Sequence, residues 1–279
     1  MQIEAGKSNY AVIMLVFCVL LLLMVVVSLG MGRLYIAPMD VFKILCSYVV
    51  PVEQSWSDQA ASVIYTLRLP RVLAAILIGS ALSLSGAAYQ SVFKNPLVAP
   101  DMLGVSSGAC VGASLCILLG LGSTFIQIGA FGGGLLAVGC AVLIPRIIGK
   151  NSIVMLVIRW RMNILTLSDE EVHMLGRDAG WLRYAIILCA TVLTACSVCI
   201  SGTIGWVGLV IPHFSRMLVG PNNQRLLPLA IVLGAFFLLA IDTISRASMS
   251  AEIPLSILTG LIGAPFYFYL LLRQRLALS

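Results

Sequence analysis

Long apolar runs separated by short polar stretches dominate the chain. Ala11 to Gly30 holds twenty apolar or small residues without a charge, enough to cross about 30 Å of hydrocarbon. It is too long for the apolar core of a signal peptide and no A-x-A site follows, so it reads as a retained helix. Seven further runs read as spans: Val72 to Val92, Met102 to Gly120, Phe125 to Ile148, Leu182 to Ser201, Ile204 to Leu218, Leu227 to Ile244 and Ile257 to Leu272. The pattern therefore predicts an all-α polytopic membrane protein of about eight spans in one transmembrane domain covering residues 1–279.

The polar stretches carry their own signals. Residues 31 to 67 form the longest connection and predict a short helix over Met39 to Tyr48. In FKNPLVAPD the prolines break any helix and Asp101 is placed to cap the next one. Gly104, Gly108 and Gly112, four residues apart, let a neighbouring helix approach closely. Ser152 to Trp160 is only nine residues, about 14 Å as a helix, and cannot span. After it, Ser168 and Glu171 form a capping box with Asp169 and Glu170 in the first turn, Leu175 follows, and Gly176 is a natural stop. This short water-facing helix between spans is available for a partner to grip. Asn95, Pro96, Gly202, Gly205, Gly208, Pro212, Gly263 and Pro265, in or beside spans, are the candidates for helix breaks along a pathway.

Composition agrees with the pattern: 60% of residues are hydrophobic, only 10% are charged, and mean hydropathy is +1.06. The net charge of +6 reports topology rather than nucleic-acid binding. With eight spans both termini share one side. Five of the seventeen Lys and Arg, namely Arg33, Lys43, Arg68, Arg71 and Arg246, fall on the opposite side and the other twelve with the termini, which places the termini and the capped helix in the cytoplasm. The order of features in Leu73 to Asp101 echoes that in Ile186 to Phe214: an apolar helix, a Ser-Gly pair, a broken stretch and a proline. The two run in opposite directions, as in the inverted repeats of transporters.

No enzyme site emerges. Around Gly149 and Lys150 the phosphate-loop pattern fails, because Asn151 stands where Ser or Thr is required. His173 and His213 lack a metal-binding context, and the eight cysteines read as small hydrophobes. Asp242, the one acidic residue within a span, has Arg246 four residues on, the spacing of a helical ion pair. A structural pair is the reading preferred over a proton carrier.

Residues 66–109 (TLRLPRVLAAILIGSALSLSGAAYQSVFKNPLVAPDMLGVSSGA), 159–176 (RWRMNILTLSDEEVHMLG), 201–220 (SGTIGWVGLVIPHFSRMLVG) and 251–271 (AEIPLSILTGLIGAPFYFYLL) resemble the FecCD-type permeases. These are the membrane subunits of binding-protein-dependent ABC importers for iron-siderophores, haem and vitamin B12. The resemblance implies a homodimer with its path on the two-fold axis, two cytoplasmic ATPase subunits that carry the ATP and magnesium, and an outer substrate-binding protein. No cofactor is expected on this chain itself. It implies that Ser168, Asp169, Glu170, Glu171, Leu175 and Gly176 form the helix coupling to the ATPase. It further implies that Arg68, Arg71 and Arg246 meet acidic residues of the binding protein. Where family members carry two more spans, NSIVMLV (151–157) and IRWRMN (158–163) are fused here, leaving about eight spans of ten. The expected function is thus a permease for an iron chelate, a ferric siderophore, in the bacterial cytoplasmic membrane. The alternatives are a shortened homologue that only docks partners and an ion-coupled carrier dependent on Asp242.

Overall fold

The computed structural model describes residues 2–47, 50, 53–148, 179–248 and 252–278, and every regular element among them is helical. In order these are α1 (Gln2–Gly30), α2 (Pro38–Ser47), α3 (Asp58–Ser62), a π-helical turn (Val63–Arg68), α4 (Leu69–Val92), a 3-10 turn (Pro100–Leu103), α5 (Val105–Leu118), α6 (Ser123–Ile148), α7 (Ala179–Ser201), α8 (Val207–Val219), α9 (Asn223–Ala247) and α10 (Leu255–Leu278). The pieces 151–163 and the capped helix 168–176 lie outside the described residues.

Each predicted span has a helix at its place. Five helical runs are long and apolar enough to cross a membrane: Asn9–Gly30, Asp58–Val92, Ser123–Leu143, Tyr184–Ser201 and Asn223–Ala247. Val105–Leu118, Val207–Val219 and Leu255–Tyr269 are apolar but shorter. At 14 and 13 residues, α5 and α8 reach only about 20 Å, short of the hydrocarbon thickness.

Several boundaries differ from the sequence reading, each for a local reason. The second span starts at Asp58 rather than Val72. Ser57 caps it, its hydroxyl accepting from the Ala60 N–H at 3.2 Å, and the chain stays helical through Pro70. Pro70 has no N–H for the carbonyl four residues back, and the π turn just before it shifts the bonding, with Leu69 N–H donating to Ile64 O. Asp101 does not cap a backbone N–H; it accepts from the Ser106 hydroxyl, and α5 begins at Val105, after Gly104 at the N-cap, without a side-chain cap. Ser85-Gly86 sits inside α4 whereas Ser201-Gly202 ends α7, so that part of the internal echo is out of register. What repeats is a long helix, a break and a short helix: α4 then α5, and α7 then α8.

The chain divides into two compact units, Met1–Ser80 with Met217–Ser279, and Ala81–Arg216. The core of the first gathers Leu29, Ile36, Val41, Ile44, Ile64, Val72 and Leu239. Its α9 lies close enough to the first half of α4 that a Cβ on Gly79 would sit 2.2 Å from Gly234 O. In the second unit, Tyr89, Val98, Val105, Val138, Ile187 and Ala190 form the core. Here α5 and α6 press glycine on glycine, as the four-residue spacing predicts. A Cβ on Gly108 would meet Gly133 O at 2.4 Å, and one on Gly112 would meet Gly129 O at 1.9 Å.

Candidate functional site

Two arginines of the first unit converge on one carboxylate. Asp242, buried in α9, accepts from Arg246 Nε at 2.9 Å through Oδ2 and from Arg71 Nε at 2.8 Å through Oδ1. Arg71 turns its Nη1 to Glu252 at 3.0 Å, and Arg246 Nη2 donates to the buried Ser28 hydroxyl at 2.6 Å. The (i, i+4) pair of Asp242 and Arg246 was legible in the spacing. The links to Arg71 and Glu252 were not, because they join residues 171 and 181 positions apart. With both oxygens on guanidinium groups, Asp242 is a structural anchor.

Arg68 is held inside the first unit by backbone carbonyls. It is only 5% exposed; its Nη1 donates to Leu29 O at 2.5 Å and its Nη2 to Leu34 O. The chain wraps the guanidinium so closely that a Cβ on Gly32, at φ +146°, would lie 2.9 Å from Nη2. Two carbonyls thus fix the position of this guanidinium. Of the three arginines expected to dock a binding protein, Arg71 is the one that reaches the surface, at 36% side-chain exposure, against 9% for Arg246. Arg68→Lys keeps the charge but cannot fork two carbonyls. It is expected to cost about 1–2 kcal/mol, read as a lower thermal midpoint in detergent.

The helix-break candidates separate into two groups. Asn95 and Pro96 lie in the break after α4, where Lys94 has φ 49° and Asn95 Oδ1 accepts from Leu97 N at 2.9 Å, an Asx turn. Gly202 and Gly205 lie in the break before α8, bounded by Gly202 at φ +71° and Trp206 at φ 73°. Pro212 and Pro265 do not break their helices, and nor does Gly263; α8 and α10 run through them. In α8 the reason is visible. Pro212 cannot donate to Gly208 O, and that freed carbonyl rests on Gly86, where a Cβ would lie 1.8 Å away. Gly208 is thus a contact point, also packed on Pro100.

A polar thread in the second unit had no signal in the sequence. Tyr89 and Thr191 hydroxyls pair at 2.7 Å, Thr194 donates to Ser85 at 3.0 Å, and buried Gln90 donates to Leu209 O at 3.3 Å while accepting from Arg216 Nη1 at 3.2 Å. Among apolar helices such bonds fix which faces meet. Beside it a small cavity is lined by Leu82, Pro100, Asp101, Thr194, Trp206 and Gly208. Among the described residues no group of three or more His, Cys, Asp or Glu could hold a metal ion.

The chain is 34% identical over 330 aligned positions to the molybdate import system permease protein MolB of Haemophilus influenzae, covering 96% of this chain and 97% of that one. It is 32% identical over 328 positions to the hemin transport system permease protein HmuU of Yersinia pestis, covering 92% and 95%. Among solved structures it is similar to a metal-chelate type ABC transporter in an inward-facing conformation, with TM-score 0.74, 31% identity, and coverage of 94% of this chain and 99% of that one. Since 96% of 279 residues is 268, the first alignment leaves 62 of its 330 positions without a residue of this chain. Two spans with their loops need about that many. The FecCD transport family matches over residues 20–158 and again over 142–273, and the two matches meet where the sequence reading placed the missing spans. With four motifs, the helical architecture and both matched segments in agreement, the chain belongs to the FecCD transport family.

Proposed function

We propose that the chain is the permease subunit of a binding-protein-dependent ABC importer and that its cargo is an iron chelate, a ferric siderophore. The observation that carries the reading is the family match over nearly the whole chain, together with 31% identity to a solved metal-chelate type ABC transporter. Two copies enclose the path, both termini face the cytoplasm, and the chain performs no bond chemistry. Partner ATPases grip Ser168 to Gly176, and their closure on ATP moves the spans between outward- and inward-open arrangements. Outside, Arg68, Arg71 and Arg246 face the acidic surface of the binding protein, and Arg71, which also bonds Asp242 and Glu252, is the most exposed of the three.

The relatives name molybdate and hemin as well as chelates, so cargo is tested by competition. Uptake of labelled ferric siderophore in the presence of excess unlabelled siderophore, haem, cobalamin or molybdate is expected to fall with siderophore alone. Loss with molybdate alone would reassign the cargo. For the coupling helix, Glu171→Lys reverses a charge in the capping box and is expected to abolish co-purification of the ATPase while membrane insertion stays normal. Unchanged co-purification would reject that surface.

A second reading has one observation in its favour. The 62 alignment positions absent here amount to two spans, one of which is expected to line the path in full-length relatives. On this reading the chain docks its partners without completing a channel.

A further inference from the structure

We infer that α2 is a membrane-interface anchor, lying along the lipid headgroup layer with one face in the acyl boundary. The helix has three distinct faces. Val41 and Ile44, 1% and 0% exposed, pack into the core of the first unit, and the Tyr65 hydroxyl bonds Ile44 O, which fixes the rotation of the helix. A polar edge carries Asp40 and Lys43, both linked to Ser55, with Lys43 Nζ donating to its hydroxyl at 2.9 Å. The third face is apolar and uncovered: Met39 is 66% exposed and Phe42 64%, with Tyr35, just before the helix, at 71%.

Three observations select lipid as the occupant. The helix packs against α1, whose Leu23 is 58% and Val27 41% exposed in the most hydropathic of the candidate spans among the described residues. That span ends at Gly30, only eight residues before Pro38, so α2 is held at the depth where the hydrocarbon gives way to headgroups. At ten residues, about 15 Å, α2 cannot cross the bilayer, and its amphipathic build with an aromatic pair and flanking cations, Arg33 and Lys43, suits a helix lying in the interface. Such an anchor would hold the outer end of the first unit at fixed depth while other helices move.

Photocrosslinking of the full chain tests this. The photoreactive analogue p-benzoylphenylalanine is placed singly at Leu23, Met39, Phe42 and Ser55, and each variant is reconstituted in vesicles of phosphatidylethanolamine and phosphatidylglycerol carrying labelled acyl chains. At position 42 the substitution is aromatic for aromatic, and monodispersity in detergent verifies the fold. The expected result is phospholipid adduct at 39 and 42 matching that at 23, and none at 55. Adduct at 42 no greater than at 55, or adducts at 42 that join two chains, would overturn the assignment.

Discussion

Asp242→Asn is expected to destabilise the protein by about 3 kcal/mol, because it removes the carboxylate that pairs with a nearly buried guanidinium. Arg246 is 9% exposed and its Nε is committed to Asp242 at 2.9 Å, so loss of the carboxylate leaves a cation in a place water hardly reaches. Arg71 suffers less, since it is 36% exposed and keeps Glu252 at 3.0 Å. An amide can still accept a hydrogen bond, but it cannot neutralise two arginines. The bridging arrangement makes a ranking prediction as well. Arg246→Met removes one partner yet leaves Asp242 paired with Arg71, and is expected to cost about 1 kcal/mol. Thermal unfolding in detergent should place Asp242→Asn well below Arg246→Met. Equal midpoints would mean that Arg71 contributes nothing to holding the carboxylate.

The second large effect concerns a backbone contact. Gly86→Val should cost about 3 kcal/mol or more, since a Cβ at residue 86 would lie 1.8 Å from Gly208 O, a distance no side-chain rearrangement relieves. The obstacle is backbone, and Pro212 one turn on keeps that carbonyl from turning back into its own ladder. Helix α8 would have to move away from Gly86, giving up contacts along its length. Gly132→Val in α6 is the control: nothing lies within 4 Å of a Cβ there, so it should fold and insert as the parent does. If the two variants gave the same yield of monodisperse protein, the close approach of Gly86 and Gly208 would be refuted.

What the sequence made legible was whatever depends on neighbours a few residues away. Runs of apolar residues placed the helices, the spacing of Gly104, Gly108 and Gly112 announced the tight pairing that Gly108 and Gly112 make with α6, and the Asp242 to Arg246 spacing announced an ion pair. Prolines misled where a remote partner decided the outcome. The carbonyl freed by Pro212 finds Gly86, so α8 continues where a break was expected, while Pro70 is absorbed locally by a π turn in a span read as starting only at Val72. The arginines show the same limit. Charge counting put Arg68, Arg71 and Arg246 on one side and the resemblance implied one common role for them, but only the three-dimensional surroundings separate a cation wrapped by Leu29 and Leu34 from one that reaches solvent. The missing segment, by contrast, was legible from family motifs brought together at residues 157 and 158, and the overlapping family matches meet at the same place.

The most direct test of the permease reading is uptake of radiolabelled ferric siderophore into proteoliposomes holding this chain with its ATPase and binding protein, measured with and without ATP. The account predicts accumulation that requires ATP, which would mean the path closes around the helices this shortened chain retains. Stable assembly of all three components with no uptake above the ATP-free control would contradict it and leave a protein that docks its partners without transporting.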